Sequence, residues 1–411
     1  MTATGPVSTP QQAPHEVSLL VVGGGIGGLA TALAIARSGR KVHLLEQAPE
    51  FTEVGAGLQI GANATRVMHR LGVLDAVEAV AVHPERAVMR DAMTGERLTG
   101  LTLGETYRSR YGFPYLVMHR SDLLQILLDA CRAQPGITLE NNRTVCDVVA
   151  GDDDVLVTCE DTSSYRARAV LAADGLRSRL RRLFVDDEPV CSGYVAYRGT
   201  MPVDNVVTDI DANDIVLWVG PQLHLMQYPV RAGALYNQVA VFHSDSFAAG
   251  VPDTEWGTPQ ELDAAYASTT DAVRLSAASV SRARHWPLFD REPLEHIAAG
   301  RIALLGDAAH PMLQVLGQGA CQALEDAEAM AGCLSEYSDD VEKALASYEQ
   351  KRLARATACQ RLARPWADMW HLTDPVALAL RNRVLRDRAD DDYRDVDWLY
   401  LEQPDPAFVP S

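Results

Sequence analysis

The sequence predicts an α/β fold in which a nucleotide-type domain, assembled from separated stretches of chain, is interrupted by a β-rich domain and followed by C-terminal helices. Three observations predict it. A strand, a glycine turn, a helix and a second strand open the ordered part of the chain. Strand-end Asp-Gly and Gly-Asp pairs recur far downstream, at Asp174-Gly175 and Gly306-Asp307. Between them, residues 193–243 form short β-like runs punctuated by Gly and Pro. A chain of 411 residues exceeds one typical core, so two packed domains or one large composite domain are expected.

Each element has its own justification. Residues 1–16 carry no Lys or Arg and no apolar core, so they read as a flexible tail rather than a secretory leader. Residues 17–22 are an apolar run ending in glycines, which reads as a buried parallel strand. Residues 29–38 place Ala, Leu and Ile on a helical period that Gly39 ends, and residues 41–46 form the next strand. The right-handed crossover makes these strands parallel neighbours. Residues 116–133 read as a helix opened by Ser121-Asp122, and residues 138–173 as strands joined by the acidic turn Gly151-Asp152-Asp153-Asp154. Residues 301–306 read as a buried strand, and residues 320–335 and 341–363 as helices. The expected division is a nucleotide domain of residues 17–82, 105–188 and 288–345, a substrate domain of residues 83–104 and 189–287, and a C-terminal helical segment of residues 346–411.

Composition narrows the function. A formal net charge of −18 argues against nucleic acid, whose phosphates demand a basic surface. It also means that an anionic substrate needs positive charge inside its pocket. No apolar stretch is long enough to span a bilayer. The seven cysteines form no CxxC pair and are odd in number, so neither a metal site nor a disulfide framework is expected, and a cytoplasmic protein with reduced thiols is the simplest reading.

The glycine turn carries the first chemistry. Gly23-Gly24-Gly25-Ile26-Gly27-Gly28 matches G-x-G-x-x-G between a strand and a helix, the context of a Rossmann-like dinucleotide site. Gly23 permits the tight turn, Gly25 lets backbone approach a pyrophosphate, and Gly28 lets helix and strand pack closely. Glu46 closes the second strand roughly 20 residues on, where an acid can bind a ribose hydroxyl, with Gln47 beside it. This motif alone does not separate NAD from FAD.

Taken together, Gly23–Gly28, Asp174-Gly175 and Gly306-Asp307 resemble the three signature segments of flavin-dependent aromatic monooxygenases, and the likeness runs from Val17 to about Trp370. The resemblance implies a Rossmann-like FAD-binding domain. In it, the first segment would hold the FAD pyrophosphate, Asp174 would serve FAD and NAD(P)H, and Asp307 would bind the ribityl chain. It also places Gly57 and Arg120 along the flavin, and Gly319 and Ala320 with their backbone at the isoalloxazine ring. His310 would belong to the framework of the flavin loop. There is no second G-x-G-x-x-G, which implies that NADH visits transiently as a co-substrate rather than binding in a domain of its own.

The substrate side rests on a strand reading. His224, Met226 and Tyr228 alternate, so in a strand they share one face. An imidazole and a phenol on one wall can take a proton from a phenolic substrate and orient it. A His and Tyr paired inside a core is the competing reading. The resemblance extends to the 3-hydroxybenzoate 6-hydroxylase subgroup, whose active-site His, Tyr and Gln are matched by His224, Tyr228 and Gln314. Val315-Leu316-Gly317-Gln318-Gly319 departs from the subgroup in favour of the wider family's Gly-Gln-Gly form, which leaves the ring substituents open.

The implied reaction uses NADH and O2 to hydroxylate an aromatic carboxylate through a C4a-hydroperoxyflavin, with 3-hydroxybenzoate giving 2,5-dihydroxybenzoate. His224, helped by Gln314, would draw off the phenolic proton, and Tyr228 would hold the substrate. A decarboxylating salicylate 1-monooxygenase and a non-catalytic flavin-binding protein are the alternatives. Monomer and homodimer both remain open.

Overall fold

The expected βαβ unit forms first. In the computed structural model, which describes residues 13–52, 56–205, 213–252 and 255–402, strand His15–Val22 leads through the glycine turn into helix Ile26–Arg37 and strand Val42–Leu45. Leu20 pairs with His43 and Val22 with Leu45 in parallel register. Residues 1–12 of the expected tail lie outside the described residues. His15 and Glu16, also expected there, instead extend the first strand opposite Tyr165 and Arg166. Ladder bonds use backbone groups, so the strand can continue past its apolar run.

Three distant stretches complete the parallel core. Strand Ser164–Ala172 flanks the first strand, Ile302–Leu304 lies beyond it, and Ile137–Glu140 pairs with Val42–Leu45 on the other side. Leu20, Val21, Leu44, Leu45, Leu171 and Ala303 are fully buried, as parallel strands covered on both faces should be. Helices Ile26–Arg37, Arg120–Arg132 and Gly319–Glu336 contribute Leu29, Leu33, Leu123, Leu127 and Leu324 to the same core. The nucleotide-type domain is therefore assembled from discontinuous segments.

Part of the helix expected over residues 116–133 is a strand. Leu116–His119 pairs antiparallel with Gly57–Ile60, and helix Arg120–Arg132 begins only after it. The His119 side chain accepts a hydrogen bond from the Ser121 amide as the helix cap. A short apolar run fits a buried strand or a buried helix turn equally well, and here the partner strand decides.

A second sheet runs in the order His285–Asp290, Val190–Pro202, Leu235–His243, Leu223–Val230, Ile215–Gly220, Arg86–Asp91, Arg97–Thr102. The early hairpin joins it by parallel pairing of Ala87 with Ile215. The expected boundary at residue 287 falls inside strand His285–Asp290, which belongs wholly to this sheet. Helix Val341–Trp370 is longer than expected and continues through Pro365. Proline removes one helix hydrogen bond there, while Ala363, Ala367 and Trp370 stay buried around it. Among the described residues, no helix is long and apolar enough to cross a membrane, and no group of three or more His, Cys, Asp and Glu side chains could hold a metal ion.

Candidate active site

The glycine turn is held by contacts that leave no room for side chains. Gly23 has φ +110°, and a Cβ on it would lie 2.3 Å from the Ala173 carbonyl oxygen. A Cβ on Gly28 would lie 1.9 Å from the Gly23 oxygen. Gly25 is different. It precedes helix Ile26–Arg37, lines a cavity, and has no protein atom within 4 Å of where its Cβ would be. Space is thus kept beside free helix amides, the arrangement that suits a pyrophosphate. Glu46 reaches back to the turn. Its Oε2 accepts from the Gly24 amide at 2.6 Å and its Oε1 from Ala48 at 2.8 Å. Gln47 beside it is exposed.

The cavity, about 480 Å³, is lined from both sheets. Gly25, Gly57, Arg120, Gly175, Asp307, Gly319 and Ala320 line one part of it. Asp307 is exposed although its neighbours Gly306 and Ala308 are buried. Gly319 and Ala320 open helix Gly319–Glu336, and the nearest atom to a Cβ on Gly319 is Asp307 Oδ1 at 3.8 Å. An extended dinucleotide therefore finds backbone amides at two helix starts and a carboxylate between them. These residues fit FAD. Gly57 has a further constraint, because a Cβ there would lie 2.3 Å from the Tyr228 ring.

Asp174 plays a more local part than expected. Its carboxylate accepts from Ser178 Oγ at 2.6 Å and from the amides of Arg179 and Leu180. It is the neighbouring Ala173 and Gly175 that line the cavity, whereas the Asp174 carboxylate shapes the turn. Burial raises its pKa despite these bonds.

Behind the Gly306-Asp307 loop lies a buried network. Asp326 accepts from the Gly306 amide at 2.8 Å, pairs with His310 Nε2 at 2.6 Å and with Arg352 Nε at 2.7 Å. His310 is thus a framework residue. Burial opposes ionisation of Asp326, but His310 and Arg352 outweigh it and hold the carboxyl well below its usual range. Its stabilisation is fully present above the unfolded-state value of about 3.9 and is lost as pH falls through the lower folded value. Asp326→Asn is expected to cost about 1.5–3 kcal/mol, the weight of a charged hydrogen bond, because Arg352 loses this carboxylate but keeps Glu325 at 2.6 Å. Urea unfolding at neutral pH would measure it, and a cost below about 1 kcal/mol would show that the network relaxes freely.

The other part of the cavity carries the expected substrate wall. His224, Met226 and Tyr228 all line it from strand Leu223–Val230, together with Gln314, Arg198, Val239, Met312, Val315 and Trp370. His224 is buried, and burial, reinforced by His371, pushes its pKa well below the ordinary value, so the imidazole is neutral. Burial raises the Tyr228 phenol, which stays protonated and able to donate. Gln314 has lost one of its options. Arg198 Nη2 donates to its Oε1 at 2.5 Å, so its amide N–H groups remain for a ligand.

Two contributors were not assigned from the sequence. Arg198 lies over the Trp286 ring, its Nε is buried without an acceptor, and no carboxylate pairs with it among the described residues. Its neighbours in the sequence carry no sign of that missing partner. His371 bonds His224 Nδ1 through its Nε2 at 2.7 Å from the end of the long helix. Nothing in the local sequence marks that contact across 147 residues.

The family model described as FAD binding domain matches residues 16–363. A 3-hydroxybenzoate 6-hydroxylase of Klebsiella oxytoca is 35% identical, with 93% of this chain and 96% of that protein covered. A 3-amino-4-hydroxybenzoate 2-monooxygenase of Streptomyces cremeus is 34% identical, with 94% and 95% covered. The crystal structure of Klebsiella pneumoniae HpxO complexed with FAD and uric acid superposes with a TM-score of 0.79 at 25% identity, covering 91% of this chain and 93% of the other.

Proposed function

The chain belongs to the FAD binding domain family and is a FAD-dependent aromatic monooxygenase; on that premise we propose that it hydroxylates a phenolic aromatic carboxylate with NADH and O2, converting 3-hydroxybenzoate to 2,5-dihydroxybenzoate. Arg198 carries the substrate class. A guanidinium in the cavity with a neutral amide as its hydrogen-bond partner calls for an anion from outside the chain. A benzoate carboxylate supplies one, and the relatives whose names specify hydroxybenzoates are consistent with it.

FAD, when bound, supplies the redox chemistry and delivers one oxygen atom of O2 in electrophilic form. The chain would hold it through the amides at Gly25, Gly319 and Ala320 and the carboxylate of Asp307. Arg198 binds and orients the substrate carboxylate. Neutral His224 accepts the phenolic proton, since a phenolate is the more electron-rich ring. Tyr228 and the Gln314 amide donate hydrogen bonds to substrate oxygens. Met226, Val239, Met312, Val315 and Trp370 keep water away from the reacting carbon. Electrophilic attack is directed ortho or para to the phenolate, so the pocket must present the para carbon to yield 2,5-dihydroxybenzoate.

A panel of 3-hydroxybenzoate, 3-amino-4-hydroxybenzoate and salicylate, scored by NADH consumption and product identity, tests the reading. Catechol from salicylate with 3-hydroxybenzoate ignored would overturn it. Arg198→Met is expected to raise KM for the acid about 10- to 100-fold, the weight of a charged hydrogen bond, with a smaller change in kcat. Substrate-stimulated NADH oxidation by 3-hydroxybenzamide, which has no carboxylate, should change little. An equal response of acid and amide would mean that Arg198 supports the pocket without binding the carboxylate.

A further inference from the structure

His224 is not a lone base. Its Nδ1 faces His371 Nε2 at 2.7 Å, with the two rings 5.0 Å apart and nearly parallel at 12°. The Trp370 ring meets His224 edge-on at 5.2 Å, and Tyr194 stacks on His371 at 4.3 Å. Since Nδ1 is committed, Nε2 is the His224 nitrogen left for a ligand in the cavity. His371 is itself buried, and its Nδ1 has no hydrogen-bond partner among the described residues. A buried polar atom without a partner, placed behind a candidate base, calls for an explanation.

Resting on the phenol reading above, we propose that His371 is a positioning residue that fixes the His224 tautomer and so makes His224 Nε2 the base that takes the phenolic proton. Two neutral imidazoles share one N–H across a 2.7 Å contact. When His224 Nδ1–H donates to His371 Nε2, the His224 Nε2 lone pair is directed at the substrate as a base. The phenol O–H bond then breaks and its proton goes to His224 Nε2. The Nδ1 proton stays in the bond to His371 Nε2, so the new positive charge rests on His224. One O–H bond breaks, one N–H bond forms, and phenolate and imidazolium remain as a pair. His371 is poorly suited to take that proton in turn. Burial, and then the charges of His243 and Arg381, pull its pKa down to about 3. Of the other groups around it, His224 and Tyr194 are neutral, and Asp368 acts on Tyr194 from the same helix. Arg381 is anchored on the Met369 and Trp370 carbonyls.

The test reads ionisation directly. The probe is 3-hydroxy-4-nitrobenzoate, whose phenolate absorbs visible light, titrated while bound to the FAD-loaded enzyme. His371→Phe keeps a ring for the Tyr194 stack but removes the acceptor, whereas His371→Gln keeps an acceptor. His371→Phe is expected to raise the midpoint by about one unit, which lowers the bound probe's phenolate-to-phenol ratio about tenfold at any given pH. His371→Gln should recover part of this, FAD should be retained in both, and adding His371→Phe to His224→Gln should shift nothing further. If His224→Gln shifts the midpoint and neither His371 variant does, the positioning role is wrong while the base assignment stands. If no variant shifts it, or the probe does not bind, the phenol reading fails and the positioning role with it. Loss of FAD and probe together in both His371 variants would make His371 a packing residue and overturn the proposal.

Discussion

Gly25→Val is expected to fold normally and purify colourless. The wild type should be yellow, with about one FAD per chain. Apart from the adjoining residues, nothing lies within 4 Å of the position a Gly25 Cβ would take, so the turn has room for the branch point of the valine. That position lines the cavity beside the first helix start, where a pyrophosphate must approach backbone amides. Displacing it should weaken FAD by at least about 100-fold, close to 3 kcal/mol. Flavin absorbance after gel filtration and a thermal melt together measure the outcome. Gly28→Val is the contrasting control. Its Cβ would sit 1.9 Å from the Gly23 oxygen, so it should damage the turn itself and lower stability. A yellow Gly25→Val protein with normal FAD affinity would show that the pyrophosphate lies elsewhere.

His224→Ala should separate flavin reduction from hydroxylation. Proton removal from the phenol activates the ring, and losing a positioned base costs about 10²–10⁴-fold. Hydride transfer to the flavin does not require that proton to leave, so substrate-stimulated NADH oxidation should fall far less. The oxygen that is not transferred should appear as hydrogen peroxide. The burial that keeps His224 neutral also means that the variant opens a space next to Trp370 and His371, so FAD content must be measured alongside. Hydroxylation at the wild-type rate in the variant would reduce His224 to a core histidine. Equal loss of reduction and hydroxylation would point instead to a pocket that no longer binds substrate.

Local rules made much of this molecule legible. The tight turn at Gly23 and the close packing at Gly28 follow from backbone geometry within six residues, and both have the expected contacts. His224, Met226 and Tyr228 line one cavity because a strand alternates its faces, whatever sheet it joins. Spacing put Glu46 at the end of the second strand as a ribose ligand, and in the fold its carboxylate accepts from the Gly24 and Ala48 amides. By contrast, the run at residues 116–119 was not decidable locally. Its apolar residues suit a helix, and the partner strand Gly57–Ile60 makes it a strand.

The sequence by itself determined the α/β class, the discontinuous nucleotide-type domain and the identity of one wall of the cavity, since these depend on periodicities and turns encoded over a few residues. Tertiary structure decided how the polar groups are shared. Asp174 has its carboxylate taken by Ser178 and two amides, and Gln314 is left with its donors because Arg198 occupies its oxygen. His371 reaches His224 only through the packing of the long helix against the second sheet. A hydrogen bond is satisfied once per lone pair or proton, so which partner wins depends on every group brought within about 3 Å, and the chain sets that proximity only when it is folded.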